Sequence, residues 1–360
     1  MDIDQLRALA VSQTLFPPAT LKATIKRLGF VQADPIRAPA RAQDLILRHR
    51  VKGYKAGDLE RRYASLDVEE DYLYAYGFVP RATWKLLQRR DVAGLSALEK
   101  KVYETVCKCG VTHPRQMESR HGKHCVENAW GGQSKATTRA LEALHYRGLL
   151  RVARREQGIR VYEATPYPPA SGEALPPAER LRRLIMVLAN ILAPVPQRTL
   201  NANIGRFRRL GNPRTAVADL IREGELEQYT IEGMTYLWPA DSSPARLVRV
   251  PRHDDAPPAV RILAPFDPVV WDRLRFEHLW GWPYRFEAYT PPAKRIRGYY
   301  AMPLLWGDRV IGWANAKATG GSGAEGRLSV EVGFAVKPPT GKRFSSELEL
   351  EIESLRAWVP

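Results

Sequence analysis

A pattern of three helices followed by a β-hairpin occurs twice in this sequence, and it constrains the fold more than any other feature. In the first copy, Leu98, Val102 and Val106 recur at helical spacing and place apolar side chains on one face. Ser134 is a suitable N-cap for the third helix, and Gly148 is a suitable stop. The predicted elements are helices over 98–106, 114–119 and 134–144, followed by strands over 149–155 and 159–162.

The second copy repeats this order about one module later. Its third helix has Asn212 as N-cap and Pro213 at the first helical position, where proline is favoured. The predicted elements are helices over 179–188, 199–207 and 212–221 and a hairpin over 226–238. Glycines correspond between the copies: Gly148 with Gly224 after the third helix, and Gly158 with Gly233 in the hairpin turn. Three helices and a hairpin are typical of a winged helix, so the repeat predicts tandem winged-helix modules.

The segments around the repeat predict the domain organisation. Two amphipathic helices over 4–28 favour a first winged helix at the N-terminus, which makes three modules. Strand patterns dense in Trp, Tyr and Gly, as in 309–314 and 328–334, predict a C-terminal β-barrel-like domain. The predicted fold class is therefore α+β. The predicted domains are 1–95, 96–165, 178–240 and 258–360, with linkers over 165–177 and 241–258.

Composition excludes several classes of protein. Of the 360 residues, 44% are hydrophobic and 26% charged, which is the balance of a folded chain rather than a disordered one. There is no run of about 18 apolar residues, so no transmembrane helix or membrane contact is expected. The polar start, Met1-Asp2-Ile3-Asp4-Gln5, does not resemble a secretory signal. The three cysteines, all between Cys107 and Cys125, fit a reducing cytoplasm better than a disulfide framework.

The charge balance indicates a polyanionic partner. The formal net charge is +16, and basic residues concentrate in 37–62 and in the predicted wings and recognition helices. Basic residues can also form a solvated surface without a partner, but on winged helices they favour contact with DNA phosphates. The candidate DNA-binding residues are Arg37, Arg41, Arg48, Arg50, Lys135, Arg139, Arg151, Arg154, Arg155 and Arg214.

A carboxylate and an amide, Asp34 and Gln32, are candidates for chemistry. In an extended segment, residues two apart point to the same side, so both side chains would face one site. Such a pair can hold a water beside a developing positive charge. Read from spacing alone, Asp34-Pro35 is more typical of an ordinary turn.

Three blocks of the sequence together form a recognisable pattern. The first block combines Val31-Gln32-Ala33-Asp34 with the segment 41–48. The second is 263–273, which contains Phe-Asp-Pro and Trp-Asp-Arg, and the third is 292–303, which contains Lys-Arg and Gly-Tyr-Tyr. These blocks resemble the AlkZ/YcaQ-type winged-helix DNA glycosylases, and the Gln-Ala-Asp motif is similar to the Gln-x-Asp motif of the YcaQ-like branch.

The resemblance implies three winged helices and a C-terminal β-barrel around a basic DNA channel. It implies a monofunctional DNA glycosylase that removes alkylated purines of the N7-alkylguanine type and unhooks interstrand crosslinks. Asp34 would stabilise the oxocarbenium-like state and polarise the water, and Gln32 would orient that water or the sugar. The implied partner is double-stranded DNA with alkylated bases. We expect no cofactor, a monomer, and a place at the nucleoid of the bacterial cytoplasm.

The sequence also departs from the family pattern. Gln43-Asp44 stands where His-His is usual, and Tyr72-Leu73-Tyr74 precedes Pro80 where Trp-Ala-His is usual. These differences leave open any role of those histidines in lesion binding.

Other residues of the sequence offer weaker candidates for chemistry. Cys107, Cys109 and Cys125 with nearby histidines lack the spacing of a zinc site. Asp267 and Asp272 are more typical of a turn and a local ion pair with Arg273 than of a second catalytic pair. For Tyr72, Tyr74 and Tyr76, core packing and base stacking are both open. There is no Walker loop, no nucleophile elbow and no distinctive Schiff-base lysine. A non-enzymatic DNA-binding protein, such as a transcriptional regulator, is the alternative; it would prefer one operator sequence and would not need the Gln32/Asp34 pair.

Overall fold

The repeated order of three helices and a hairpin is present at both predicted places. A computed structural model describes residues 1–87, 93–122, 124–127, 133–165, 175–243, 258–319 and 327–359. The chain divides into two units, which we call the composite unit (Met1–Asp58 with Pro177–Pro360) and the inserted unit (Leu59–Pro176). None of the described helices is long and apolar enough to cross a membrane.

The N-terminal part of the composite unit is mainly helical. Asp2 caps the first helix through the Gln5 N–H, and Gly29, in the left-handed region at φ 69°, ends the second. The elements are α1 (Ile3–Thr14), α2 (Leu21–Leu28), β1 (Val31–Gln32) and α3 (Ala42–Arg48).

The inserted unit contains the first copy of the repeat. Gln157 and Gly158 both have positive φ, 51° and 83°, which is the geometry of a tight hairpin turn. Val102 and Val106 are buried as the helical spacing predicts. The elements are α4 (Asp58–Arg62), β2 (Val68–Tyr72), β3 (Tyr76–Pro80), α5 (Arg81–Leu87), α6 (Ala97–Cys109), α7 (Pro114–His121), β4 (Cys125–Glu127), β5 (Gln133–Lys135), α8 (Ala136–Tyr146), β6 (Leu150–Glu156) and β7 (Ile159–Ala164).

One predicted cap in this unit is wrong. Ser134 lies in β5, opposite Val126, so α8 begins two residues later with Lys135 at the N-cap position. Pairing with β4 holds the Ser134 backbone in an extended conformation. N-cap preferences depend on the local sequence, so they do not detect a strand pairing of this kind.

The second copy of the repeat lies in the composite unit. Asn212 caps the third helix by accepting the N–H groups of Arg214 and Thr215 at 3.0 and 3.4 Å, which confirms the predicted start. The predicted middle helix is split, because a 3₁₀ turn over Gly205–Leu210 follows its first half. The elements are α9 (Pro177–Leu192), β8 (Val195–Pro196), α10 (Gln197–Ile204), α11 (Pro213–Arg222), β9 (Leu226–Ile231) and β10 (Met234–Pro239).

The C-terminal region forms a curled, open sheet that resembles half of a barrel. Its four antiparallel strands follow chain order, and Gly312 approaches its neighbour so closely that a Cβ would lie 2.0 Å from the Gly333 carbonyl oxygen. The predicted β-rich region is therefore confirmed, but as an open sheet accompanied by two helices. The elements are β11 (Val260–Ile262), α12 (Arg273–Trp280), β12 (Met302–Trp306), β13 (Arg309–Thr319), β14 (Arg327–Phe334) and α13 (Lys342–Trp358).

A buried ion pair connects α3 to the segment before α12. The Arg50 guanidinium is 0% exposed, and its two terminal nitrogens each donate to Asp267 at 2.8 Å. Nε and one terminal nitrogen also donate to the carbonyls of Thr14 and Ile46 at 2.6 and 2.7 Å. All three nitrogens of this guanidinium are thus hydrogen-bonded inside the composite unit.

A second ion pair attaches the C-terminal helix. Arg48 donates to both carboxylate oxygens of Glu351 on α13, at 2.9 and 3.0 Å, and the Ile262 N–H donates to the same carboxylate. The last residue of α3 therefore makes a charged contact with α13, and Arg50, two residues after α3, makes one with the segment before α12.

The predicted linkers lie mostly outside the described residues, at 166–174 and 244–257. The division into four consecutive domains and the count of three winged helices remain predictions.

We expect Asp267→Ala to destabilise the composite unit by about 3–5 kcal/mol, because it leaves the buried Arg50 charge without its partner. Urea unfolding followed by tryptophan fluorescence measures this change. Glu353→Gln, which removes an exposed acid paired with Arg356, is the matched control and should change stability by less than about 1 kcal/mol. Equal effects of the two substitutions would contradict the structural role of the buried pair.

Candidate functional site

The Gln32–Asp34 segment contains both structures that the sequence left open, an extended strand and a turn. β1 ends at Gln32, and Asp34 then begins a turn in which its Oδ1 accepts the Ile36 N–H at 2.9 Å. Both side chains are half-buried. The turn therefore holds the Asp34 carboxylate in a fixed position directly after the strand that places Gln32.

Burial changes the chemistry of Asp34. Desolvation raises the pKa of its carboxyl above the ordinary range, and the Ile36 N–H bond only partly opposes this effect. A carboxylate with a raised pKa is a better proton acceptor than an exposed aspartate. This combination is typical of functional sites.

Tyrosines from the C-terminal region lie close to Asp34. Burial raises the pKa of the Tyr300 hydroxyl, and the Asp34 charge raises it further. Burial and the Asp34 charge raise the pKa of Tyr289 in the same way. Within the described residues, the Tyr300 hydroxyl has no hydrogen-bond partner, so it remains available as a donor within electrostatic range of the Asp34 carboxylate.

The loop that carries these tyrosines is fixed by a buried acid. Glu287 accepts the backbone N–H groups of Ile296, Arg297 and Gly298 at 2.8–3.3 Å. The loop nevertheless presents apolar groups to solvent, since Tyr289 is 79% and Ile296 77% exposed. An anchored loop with exposed apolar tips thus borders the Asp34 side of the site.

A cavity of about 390 Å³ lies on the Gln32 side of the site. Gln32 lines it together with aromatic side chains, and Phe286 among them packs edge-on against Tyr300 at 5.2 Å between ring centroids. Asp34, Tyr300 and the cavity wall are therefore connected through one aromatic cluster. The lining residues are Gln32, Thr199, Pro265, Phe266, Val270, Trp271, Asp272, Arg273, Leu274, Tyr284 and Phe286.

Most of this lining was missed by residue-level reasoning on the sequence. The segments 263–273 and 292–303 resemble a family, but the sequence gives no role to Phe266 or Tyr300 and predicts only a local ion pair with Arg273 for Asp272. The signal was their presence in those blocks; what brings them to Gln32 is tertiary packing.

The two residues that depart from the family histidines have structural contacts. Gln43 is buried and its side-chain oxygen accepts the Asp34 N–H at 3.4 Å. Asp44 accepts from the Tyr54 hydroxyl at 2.7 Å and the Gly57 N–H at 2.9 Å. Gln43 therefore supports the backbone of the candidate carboxylate.

Several predicted DNA-binding arginines are used inside the protein. Arg50 and Arg48 are buried against Asp267 and Glu351, so these guanidinium groups do not face solvent and we leave them out of the interface. In the inserted unit, both oxygens of Glu69 accept from Arg151.

Glu70, the residue after Glu69, is also paired with an arginine of the wing. Arg155 donates to both oxygens of Glu70 at 2.8 and 2.6 Å, and Tyr76 donates to this carboxylate as well. The wing arginines Arg151 and Arg155 therefore neutralise two buried acids of β2.

The other basic candidates are placed differently. Arg41 is half-buried at the start of α3. Lys135 is exposed and paired with Glu118, and Arg154 is exposed and paired with Glu156. The remaining exposed candidates are Arg37, Arg139 and Arg214.

A second cavity, of about 610 Å³, adjoins the predicted recognition helix of the second copy. Arg214 and Arg198 line it beside the hairpin residues Gly233 to Thr235. This cavity thus places two cations between α11 and its wing.

The remaining sequence candidates do not build a site. In the described ranges, no group of three or more His, Cys, Asp or Glu side chains is placed to hold a metal ion. Tyr76 contacts His145 and Glu70, whereas Tyr72 is exposed at the end of β2. Asp267 does form a turn, accepting the Val269 N–H at 3.0 Å, but Asp272 caps α12 instead of simply pairing with Arg273.

Comparisons with known proteins agree with this architecture. The sequence profile of a family described as "DNA glycosylase AlkZ-like" matches residues 25–358. The structure is similar to Streptomyces sahachiroi DNA glycosylase AlkZ, with a TM-score of 0.62 over 98% of this chain and 95% of that one. Sequence identity in this comparison is 15%, so the likeness concerns the fold.

We expect the Asp34 carboxyl to titrate above about 3.9, the ordinary aspartate pKa, because burial disfavours its charged form. ¹³C NMR of a chain labelled at aspartate carboxyls measures the titration, and Asp34→Asn assigns the resonance. A midpoint at or below the ordinary value would show that the site is more solvated than the structure indicates.

Proposed function

Because the chain belongs to the AlkZ-like family of DNA glycosylases, we propose that it hydrolyses the N-glycosidic bond of alkylated purines of the N7-alkylguanine type. The observation that carries the proposal is the half-buried Asp34 carboxylate, whose pKa is raised by burial. It lies within electrostatic range of the Tyr300 hydroxyl and two residues after Gln32, which lines an aromatic cavity.

Asp34 is the proposed catalytic carboxylate. Breaking the bond between C1′ and the base builds positive charge on the sugar, and a nearby carboxylate stabilises that charge. Water then adds to C1′ and releases a proton, which Asp34 accepts. Gln32 orients the water or the sugar through its amide.

The leaving group explains why one carboxylate suffices. A guanine alkylated at N7 already carries a positive charge, so it leaves with the electron pair of the broken bond as a neutral base. No general acid is needed to protonate it. A base crosslinked through N7 leaves by the same chemistry, so unhooking of interstrand crosslinks is part of the proposal.

The substrate is double-stranded DNA carrying the alkylated base, and the proposed enzyme acts as a monomer without a cofactor. The net charge of +16 supports association with a polyanion. The proposed phosphate contacts are the exposed cations Arg37, Lys135, Arg139, Arg154 and Arg214. A transcriptional regulator, the alternative, is not favoured, because a regulator needs no half-buried carboxylate close to a cavity lined by aromatic rings.

We expect Asp34→Asn to reduce release of N7-methylguanine from methylated duplex DNA by at least about 100-fold, the scale for loss of a catalytic group. The amide retains the oxygen that accepts the Ile36 N–H, so folding and duplex affinity should be close to those of the parent. Single-turnover base release measures the effect.

Glu353→Gln makes the same carboxylate-to-amide change on the exposed face of α13 and should leave release unchanged. Parent-like release by Asp34→Asn would move the catalytic carboxylate elsewhere. If the parent released neither N7-methylguanine nor a crosslinked base, the alkylpurine substrate would be wrong.

Substitution of exposed cations should weaken binding through phosphates. We expect Arg214→Gln and Arg154→Gln each to lower the slope of log Kd against log salt by about 1. Arg155→Gln is the informative control, because its guanidinium pairs with Glu70: it should lower the Tm and leave the slope unchanged. A slope change for Arg155→Gln alone would reverse this assignment.

A further inference from the structure

The cavity beside Gln32 contains a carboxylate that the proposed hydrolysis does not use. Asp272 lines this cavity and is 5% exposed. Its Oδ1 caps α12 by accepting the N–H groups of Leu274 and Arg275 at 2.9 and 3.1 Å. Among the residues that the structure describes, its Oδ2 has no hydrogen-bond partner.

Capping of α12 does not by itself explain why this position carries an aspartate. An N-cap needs one acceptor oxygen, which serine, threonine or asparagine supplies equally well. A buried carboxylate oxygen without a partner opposes folding, because desolvation is not compensated by a hydrogen bond. The second oxygen of Asp272 therefore points to a ligand that brings a donor or a positive charge.

The aromatic rings in the cavity lining favour a flat ligand. Phe266 and Phe286 pack against each other at 4.9 Å between centroids, and Trp271 and Tyr284 add two further rings to the wall. The buried Gln32 side-chain oxygen also has no partner within the described ranges. Rings of this kind stack on a nucleobase, and polar groups at the edge read its Watson–Crick face.

Hydrogen-bond chemistry distinguishes the two purines here. Guanine presents two adjacent donors on its Watson–Crick edge, N1–H and the N2 amino group. Adenine presents one donor and one acceptor. The Gln32 amide can offer either end by rotation, whereas an ionised carboxylate only accepts. Because it can only accept, an ionised Asp272 is the cavity-lining group that favours guanine over adenine.

We propose that this cavity binds the guanine ring of the lesion and that Asp272 is its specificity-determining residue, accepting from N1–H or the N2 amino group through Oδ2. The positive charge of an N7-alkylated guanine strengthens the same contact. The inference rests on the proposed glycosylase function and adds the group that selects the base.

The first test measures binding without catalysis. Isothermal titration calorimetry with free 7-methylguanine and free 3-methyladenine should show tighter binding of 7-methylguanine by the parent. Asp272→Asn keeps a capping oxygen and replaces Oδ2 by a donor, so it should weaken 7-methylguanine binding by about 10- to 100-fold. Asp272→Ser keeps a cap and removes the second oxygen, and it should weaken binding as well.

The control is Asp2→Asn, which makes the same change at the cap of α1, away from the cavity lining. It should leave base binding unchanged. No binding of 7-methylguanine by the parent at millimolar concentration, or equal binding by parent and Asp272→Asn, would overturn the proposal.

The second test uses one methylated duplex that contains both N7-methylguanine and N3-methyladenine. Asp272→Asn should lower release of N7-methylguanine by about 10- to 100-fold more than release of N3-methyladenine, mainly through KM. A purely structural role would lower both equally and reduce the Tm, and that result would overturn the assignment.

The two proposals fail in different ways. If the parent releases N7-methylguanine and Asp272→Asn leaves the ratio of released bases unchanged, the specificity role is wrong and the hydrolysis stands. If the parent releases no base but binds 7-methylguanine through Asp272, the base site stands and the proposed hydrolysis is wrong.

Discussion

The buried ion pair between Arg50 and Asp267 is the contact on which the composite unit depends. Moving a charge out of water costs several kcal/mol, and this cost is offset here because two carboxylate oxygens and two backbone carbonyls accept hydrogen bonds from the guanidinium. Asp267 precedes the cavity residues Val270 to Asp272, and Arg50 follows α3, whose Gln43 contacts the Asp34 backbone. The pair therefore fixes the Gln32–Asp34 segment relative to the wall of the cavity.

The high arginine content thus has two separate uses. Arg48 and Arg50 connect α3 to distant segments of the composite unit, and Arg151 and Arg155 neutralise the adjacent acids of β2 in the inserted unit. These guanidinium groups add to the net charge of the chain but not to the positive potential of an exposed surface. The attraction for DNA must come from exposed cations such as Arg214, so net charge overestimates the binding surface.

Local structure could be predicted from the sequence, whereas partners far apart in the chain could not. The positive φ of Gln157-Gly158 and the cap at Asn212 depend on neighbouring residues, so their patterns are readable. Ser134 failed as a cap because β4 holds it in a strand. The partnership of Arg50 with Asp267 spans 217 positions, and nothing local distinguishes this arginine from one that binds phosphate. The Gln32/Asp34 pair could be predicted with the help of a family motif, whereas the position of Asp272 in the cavity wall is visible only in the tertiary structure.

The two acids of the candidate site differ from several other acids of this protein, and the difference bears on function. Glu69, Glu70 and Asp267 each receive an arginine, so their burial is compensated within the fold. Asp34 is held by a single turn, with its pKa raised by burial, and Asp272 uses one oxygen to cap a helix. Folding alone would favour an uncharged side chain at both positions. Both carboxylates belong to one region lined by aromatic rings. In the reaction proposed for this site, the cationic base and the electron-poor sugar supply the positive charge that neither carboxylate receives from the fold.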